Sequence, residues 1–242
     1  VLLVLPRLHE DVNEEWISDK TRFAVDGLTR KRLDKPFVRR DGKLTQASWA
    51  DVLAAVAERL HARGGDKIAA IAGDQVDCET MFAMSSLMRT IGSPNMDCRQ
   101  DGMAFEPGVR ASYLFNSTIA GIENADACLL IGCNPRQEAA LVNARLRKRW
   151  MRGGFKVASV GPQLDLTFPV NHLGAGPDSL RHLAAGEGEF AAVLKNAERP
   201  LVIVGAGALS RSDGAAVLGA ARALANSVGA VGEDWNGFGV LH

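Results

Sequence analysis

Glycine-rich turns after apolar runs are the parts of this sequence best suited to chemistry. The sequence GAGALS at 205–210 lies between the apolar run Leu201–Val204 and a helical pattern. In a GxGxxG loop, this arrangement lets a pyrophosphate approach backbone N–H groups at a helix N-terminus. Here Ser210 replaces the third glycine, and no acidic residue follows a second strand about 20 residues later to bind a ribose. The pattern therefore favours a strand-to-helix turn that needs glycine, with dinucleotide binding as the alternative.

A second turn, GCNP at 132–135, follows the apolar run that ends at Ile131. Open α/β sheets hold their ligands in the crevice beyond the carboxyl ends of the strands. Gly132 would permit close approach of the backbone, and Asn134-Pro135 would turn the chain into the next helix. Gly132 and Asn134 are therefore our candidates for a ligand cleft, and a purely structural turn is the alternative.

Histidine and cysteine form no pattern that is typical of catalysis or metal binding. The five histidines show no pair at ligand spacing, and no Ser-His-Asp, Cys-His or paired-carboxylate arrangement can be named. The four cysteines contain no CxxC pair. Cys128 and Cys133 flank a predicted strand, so we expect small buried side chains there. The lack of a disulfide pattern favours a reducing compartment.

Charge and hydropathy limit the partners. The 28 basic residues balance 28 acidic ones, which leaves no global field to attract nucleic acid. No apolar run approaches the ~18–20 residues needed to span a bilayer, so we expect no membrane span. A local basic run surrounds Leu146 and Trp150, and it predicts a solvated helix face or a docking surface for an acidic partner: Arg145, Arg147, Lys148, Arg149 and Arg152.

The elements that must position these residues alternate along the chain. Ser48 and Asp51 form a predicted N-terminal cap, and the apolar residues after it follow a helical spacing. Strand and helix patterns then alternate, which predicts an α/β fold with doubly wound, mostly parallel sheets. We expect a connecting segment at 1–46, a first α/β unit at 47–172 and a second α/β unit at 173–242. The second unit is expected to be incomplete, and the start on Val1 suggests an internal piece of a longer chain.

Several stretches, spread in order over the chain, resemble the large iron–sulphur subunit of NADH:quinone oxidoreductase, respiratory complex I. They are LPRLHEDVNEEWISDKTRF at 5–23, AVDGL at 24–28, NSTIAG at 116–121, GCNPR at 132–136, NARLRK at 143–148 and SRSDGAA at 210–216. The resemblance implies a fold similar to the formate dehydrogenase and molybdopterin oxidoreductase enzymes, with two Rossmann-like units. It also implies iron–sulphur clusters in the parent subunit, outside the residues present here.

Two departures from the catalytic relatives bear on cofactors. Those enzymes carry a Cys-x-Lys-Gly-Arg pattern whose cysteine binds a cluster, and Ser18 stands at that position here. A hydroxyl is a much poorer soft-metal ligand than a thiolate. Aligning Asn95-Met96-Asp97-Cys98 with their Asn-x-Asp-Cys stretch places Met103 where cysteine or selenocysteine binds molybdenum. The Asp-Pro-Arg of the relatives is also replaced around Gly161-Pro162-Gln163.

The resemblance thus implies a cofactor-free scaffold without catalytic or metal-binding residues, in which Gly132, Asn134 and Met103 line a vestigial cleft. It implies the other subunits of the peripheral arm as partners. The expected location is the cytoplasmic face of the bacterial inner membrane, or the matrix side in mitochondria. We expect the basic run and the N-terminal segment to be contact surfaces. Two alternatives remain: a working molybdopterin oxidoreductase acting on a substrate such as formate, and a thiamine-diphosphate enzyme, which RPLVIVGAG at 199–207 also resembles.

Overall fold

The computed structural model describes residues 2–99 and 101–242, and it divides the chain into two compact units. The body unit comprises the segment up to Phe23 together with Met103–His242, and the inserted unit comprises Ala24–Gly102. This division differs from the predicted units at 47–172 and 173–242. The physical reason is strand pairing, because strands from both sides of residue 172 hydrogen-bond in one sheet.

The elements follow one another along both units. The helices are α1 Asp19–Arg22, α2 Asp26–Thr29, α3 Trp49–His61, α4 Cys78–Thr90, α5 Pro135–Glu138, α6 Ala140–Met151, α7 Pro177–Ala184, α8 Glu189–Asn196, α9 Ala206–Leu209 and α10 Gly214–Ser227. The strands are β1 Phe37–Arg40, β2 Lys43–Gln46, β3 Ala69–Ile71, β4 Asn95–Asp97, β5 Ala127–Ile131, β6 Lys156–Val160, β7 Asn171–His172, β8 Pro200–Gly205 and β9 Phe238–Leu241. Short 3-10 turns occur at Gly65–Lys67, Arg110–Ser112 and Ala120–Asn124.

The body unit is built on a five-stranded parallel sheet with the strand order β7-β6-β5-β8-β9. Every residue of the central strands β5 and β8 is buried. Apolar runs without alternation are typical of parallel strands covered on both faces. The chain runs outward from β5 to β6 and β7, then crosses back to β8 and β9. The direction therefore reverses between β5 and β8, as expected for a doubly wound α/β fold.

Alternate side chains of the sheet enter two separate apolar layers. Leu129 and Val202 pack on one face with residues of α7, α8 and α10. Leu130 and Ile203 pack on the other face with residues of α6. Successive strand residues point to opposite faces, so each layer takes every second residue.

Strand β9 was not predicted, because the sequence after Gly237 was interpreted as an incomplete end. Phe238–Leu241 pairs in parallel with β8. Its outer edge is covered by the chain near residue 115: Val240 N–H donates to the Leu114 carbonyl at 3.1 Å, and the Asn116 amide donates to the Phe238 carbonyl at 2.8 Å. Four residues with a central glycine give too short a pattern to be recognised as a strand.

The inserted unit begins in what was predicted to be a connecting segment. Strands β1 and β2 form an antiparallel hairpin, turned at Asp41 and Gly42, which have φ values of +50° and +77°. Positive φ at both central residues suits the tight turns that join hairpin strands. Strands β3 and β4 pair in parallel, and Ser48 Oγ accepts from Asp51 N–H at the start of α3, as the capping pattern predicts.

None of the helices within residues 2–99 and 101–242 combines the length and apolar character needed to cross a bilayer.

Candidate functional site at the carboxyl edge of the sheet

A cleft of about 280 Å³ lies at the carboxyl ends of the parallel strands in the body unit. It is where the strand order reverses, the usual ligand position in open α/β sheets. Its walls come from the ends of β5 and β6, the start of α7, and the chain around α9 and α10. The residues nearest the strand ends are Ile131, Gly132, Val160, Gly161, Gly207 and Ala208.

Gly132 allows one wall of this cleft to pack closely. Its φ of +57° favours glycine, and its N–H donates to the Val160 carbonyl at 2.8 Å. A Cβ at this position would lie 2.6 Å from the Cβ of Ala208 on α9. A Cβ on Gly205 would lie 2.6 Å from the Cβ of Cys133. The close approach that Gly132 permits is therefore made by α9, a helix of this chain.

Asn134 lies in the turn after Cys133, and its side chain does not line the cleft. Its backbone N–H donates to Glu138 Oε1 at 2.8 Å, which caps the start of α5. Its Oδ1 is buried without a hydrogen-bond partner in the part of the chain that the structure describes, as are Asn143 Oδ1 and Ser159 Oγ. Buried acceptors of this kind ordinarily bind ordered water or a ligand.

Met103 is 7% exposed and belongs to the apolar core that includes Leu209 and Leu218. The next residue, Ala104, donates its N–H to the Leu209 carbonyl at 2.9 Å and joins this segment to α9. The Met103 side chain is not among the residues that line the cleft. It packs as a core residue, and its thioether is a weak ligand.

Ser18 has a local structural role. Its Oγ accepts from Thr21 N–H at 3.2 Å and forms the N-cap of α1. Serine is a preferred N-cap because its oxygen satisfies one of the free N–H groups of the first turn. A cysteine would satisfy that N–H less well, since sulfur is a weak acceptor.

The basic run on α6 contacts the N-terminal segment of the body unit. Arg145, 7% exposed in its side chain, lies 2.5 Å from Glu123 Oε1 and 3.6 Å from Glu14 Oε1, and also donates to the Glu10 carbonyl. Lys148 pairs with Glu14 and lies 2.9 Å from Glu123. We call Glu14, Glu123, Arg145, Lys148 and Arg152 the ion network, since Arg152 also pairs with Glu123.

This ion network corrects the interpretation of the basic run. A solvated face does not describe Arg145, which is 7% exposed, and Lys148 has its ion pairs within the chain although 40% of its side chain is exposed. Arg149 is also engaged, because it donates to the carbonyls of Ala125 at 2.5 Å and Gly153 at 2.8 Å. Neither Arg147 nor Arg149 has an ion pair among the described residues, and Arg147 donates instead to Met151 Sδ at 3.3 Å. Sequence reasoning missed Glu14 and Glu123, although the acid-rich stretch 10–15 offered a signal.

Burial and charge act in opposite directions on Glu123, whose side chain is 13% exposed. Burial raises the pKa of the Glu123 carboxyl, but hydrogen bonds from Lys148 and Arg145 and the charge of Arg152 together lower it by more. The resulting pKa is about 2. The Lys148 pKa is raised, first by its hydrogen bond to Glu14 and then by that to Glu123. Glu123 and Lys148 are therefore charged at neutral pH.

Comparisons with known proteins identify the protein family of this chain and several similar proteins. The family model "Molybdopterin oxidoreductase" matches residues 32–242, so the chain belongs to the molybdopterin oxidoreductase family. Residues 1–26 match the "NADH-ubiquinone oxidoreductase NDSU1/NuoG-like, 4Fe-4S domain" model. The expected resemblance to the large iron–sulphur subunit is thereby confirmed.

Two curated relatives align with the whole chain. It is 46% identical over 242 residues to "NADH dehydrogenase [ubiquinone] iron-sulfur protein 1, mitochondrial" of Solanum tuberosum. It is 42% identical over 242 residues to an NADH-quinone oxidoreductase component of Rickettsia felis. The alignments cover 100% of this chain but only 33% and 36% of those relatives, so the chain spans about a third of their length.

A solved structure supports the fold. The formyltransferase/hydrolase complex FhcABCD of Methylorubrum extorquens, in complex with methylofuran, superposes with a TM-score of 0.52 at 18% identity. The match covers 81% of this chain and 58% of that one. The α/β fold expected from the sequence is thus confirmed, and this likeness carries the fold alone.

The family implies a molybdenum–pterin cofactor, and Met103, the residue expected at its protein ligand position, does not fit it, because a thioether packed in the core cannot supply an anionic ligand. Within residues 2–99 and 101–242, no three His, Cys, Asp or Glu side chains lie close enough to hold a metal ion. Burial, reinforced by the charge of Glu138, raises the pKa of the Cys133 thiol to about 12, which disfavours a thiolate ligand. The cleft of about 280 Å³ is also below the roughly 300–1,000 Å³ of ordinary ligand sites.

Proposed function

We propose that the chain is part of the large iron–sulphur subunit of the proton-translocating NADH:quinone oxidoreductase. In this proposal the region is a cofactor-free scaffold, and electrons move through iron–sulphur clusters elsewhere in the parent subunit. The observation that carries the scaffold part of the proposal is the packing of Met103 in the apolar core. The register of Asn95-Met96-Asp97-Cys98 given above predicts that this residue stands where the catalytic relatives bind molybdenum. A neutral thioether in that place cannot supply the anionic ligand that molybdenum needs.

The proposal includes the other subunits of the peripheral arm as partners, on the cytoplasmic face of the inner membrane or the matrix side in mitochondria. The curated relatives named as NADH dehydrogenase or NADH-quinone oxidoreductase components support this. The contact surface that we propose in the body unit is the exposed groove of about 760 Å³ beside α6. Its lining includes the exposed side chains of Trp16 and Met151 next to Arg147. Tryptophan, methionine and arginine are enriched at protein interfaces.

Elemental and cofactor analysis of the purified chain tests the scaffold proposal. Elemental mass spectrometry would measure molybdenum, tungsten and iron, and fluorescence would detect any released pterin. We expect none of them at a stoichiometric level in folded protein. Stoichiometric pterin or molybdenum would overturn the scaffold proposal.

The alternative is a working molybdopterin oxidoreductase, and one observation favours it. The buried Asn134 Oδ1 lacks a partner among the described residues and lies in the same turn as Gly132, which lines the cleft. A bound ligand would satisfy this oxygen. Formate-dependent reduction of a dye by the molybdenum-loaded chain, absent from an Asn134→Leu variant, would support the alternative.

A further inference from the structure

The ion network joins two regions that match different family models. Glu14 lies within residues 1–26, which match the iron–sulphur domain model. Glu123, Arg145, Lys148 and Arg152 lie within residues 32–242, which match the molybdopterin oxidoreductase model. Both regions of the network belong to the body unit. Glu14 therefore connects a segment of one family region to helix α6 of the other, through Arg145 and Lys148.

The ion network holds three cations against two carboxylates, so losing Glu14 would leave all three cations around Glu123 alone. The side chain of Arg145 is 7% exposed, so water cannot replace a lost carboxylate around its guanidinium. Removing one partner of a buried ion pair leaves an uncompensated charge, which is strongly unfavourable. Loss of Glu14 would therefore favour detachment of its segment from α6.

The backbone around Glu14 gives an independent observation. Glu14 has a φ of +51°, a conformation that is rare for residues other than glycine. The turn is fixed because His9 N–H donates to the Glu14 carbonyl at 3.0 Å and Glu14 N–H donates to the His9 carbonyl at 2.7 Å. The Asn13 side chain adds donations to the carbonyls of Arg7 at 2.8 Å and Trp16 at 3.2 Å. An unfavourable backbone conformation persists only where its surroundings impose it, and such residues concentrate at functional positions.

We propose that the ion network is an interlock that fixes the turn 9–16 on α6 and thereby positions the preceding iron–sulphur region of the parent subunit. Glu14 is the positioning residue in this inference, and its counter-charges across the junction are Arg145 and Lys148, which Glu123 shares. The fixation of the turn stands on the contacts alone. Its consequence for the iron–sulphur clusters rests on the proposed function.

Hydrogen–deuterium exchange of the full-length subunit in its assembled complex tests the interlock. The test variant is Glu14→Gln, and the matched control is Asp11→Asn, an exposed acid of the same turn without an ion pair among the described residues. We expect amides in 9–16 to exchange at least tenfold faster in Glu14→Gln, while those of β5 and those of the control are unchanged. Equal protection of 9–16 in both variants would overturn the interlock.

A second variant separates the contribution of the Glu14 carboxylate from that of the Glu14 backbone conformation. Glu14→Gly accepts the positive φ without strain but removes the charge. We expect it to loosen the turn as Glu14→Gln does. Retained protection in Glu14→Gly would overturn the interlock, since the turn would then be held by its backbone alone.

Electron transfer tests the positioning role. In the assembled complex, we expect NADH-driven quinone reduction to fall several-fold in Glu14→Gln at unchanged complex content, and to stay unchanged in Asp11→Asn. A loosened turn with an unchanged rate would overturn positioning and leave the scaffold proposal intact. The scaffold proposal fails by a different result, stoichiometric pterin or molybdenum, so the two failures are distinguishable.

Discussion

The body unit and the inserted unit use parallel strands in very different surroundings. In the body unit, β5 and β8 lie inside a five-stranded sheet, and every residue of both strands is buried. In the inserted unit, β3 and β4 form a two-stranded sheet, and Ile71 of β3 is largely exposed. Among the described residues of that unit, only Ala72, Met88 and Ser93 are buried. The body unit has its own apolar core, and the inserted unit lacks one of comparable depth.

The difference shows that an amphipathic pattern does not by itself produce a core. Helix α3 has the apolar face that its sequence predicts, yet Trp49 is 69% and Leu53 is 62% exposed. A two-stranded sheet is at best marginally stable alone, and parallel sheets normally occur with both faces covered. We therefore expect stability to depend on different residues in the two units.

The largest expected effect comes from truncating a leucine in each unit. Leu130→Ala removes a fully buried side chain from the body unit and should lower the free energy of unfolding by about 2–5 kcal/mol. Leu53→Ala in the inserted unit should cost less than about 1 kcal/mol, because its side chain is already largely exposed. Urea unfolding followed by circular dichroism measures both. Equal losses would show that α3 is buried in solution and would remove the contrast between the units.

Acid should next weaken the ion network of the body unit, through which Glu14 holds the N-terminal segment on α6. The folded pKa of Glu123 is about 2, below its ordinary value of 4.5, because the cationic partners favour the carboxylate. A lowered pKa contributes stability above pH 4.5 that is lost as the pH falls from 4.5 towards 2, with a total of about 3 kcal/mol.

Hydrogen exchange of residues 9–16 as a function of pH measures this acid response. The inserted unit supplies the comparison, since its Asp97 and Arg99 form a 2.9 Å ion pair that is partly exposed to solvent. An exposed pair contributes little, so protection around β4 should change less over the same range. An identical acid response of the two segments would contradict the assignment to Glu123.

The sequence was sufficient for the central strands of the body unit, although not for β9. Continuous apolar runs such as Leu201–Val204 predicted buried parallel strands, and the alternation with helices predicted the α/β fold. The N-terminal cap of α3 by Ser48 could also be predicted, because it involves two residues only three positions apart. These features are set by local sequence, which explains why they could be predicted.

The domain boundary and the ion network could not be predicted in the same way. The boundary at 172 was predicted from local patterns, whereas the pairing of β5 with β8 joins residues about seventy positions apart, which local patterns do not specify. The ion pair of Glu14 with Lys148 also joins residues that are distant in the sequence, and a single sequence does not show which acid pairs with which base. Asn134 was expected in the cleft, yet the turn directs its side chain elsewhere. The direction of the Asn134 side chain depends on the course of the backbone after Gly132. The positive φ of Gly132 sets that course, and the sequence alone does not specify it.

A glycine in each unit should separate close packing from backbone strain. Gly132→Ala in the body unit combines a positive φ with a contact of 2.6 Å to Ala208 and should cost about 2–4 kcal/mol. Gly42→Ala in the hairpin of the inserted unit has a positive φ but nothing within 4 Å, so about 1 kcal/mol is expected. Thermal unfolding of the two variants measures the difference. A milder effect at Gly132 than at Gly42 would show that α9 does not pack against β5 as described.

The smallest effect on stability is expected for Arg147→Glu, which should change assembly instead. Arg147 has no ion pair among the described residues, whereas Lys148 and Arg149 have partners within the chain, so changing them as well would disturb the fold. We expect the Arg147→Glu chain to unfold within about 0.5 kcal/mol of the original and to assemble less well with the peripheral arm. The comparison is Arg63→Glu, an exposed arginine of the inserted unit without an ion pair among the described residues, for which we expect normal assembly. The yield of assembled complex in native gels measures the effect of both variants. If assembly were reduced only in Arg63→Glu, the contact surface would lie in the inserted unit and not in the body unit.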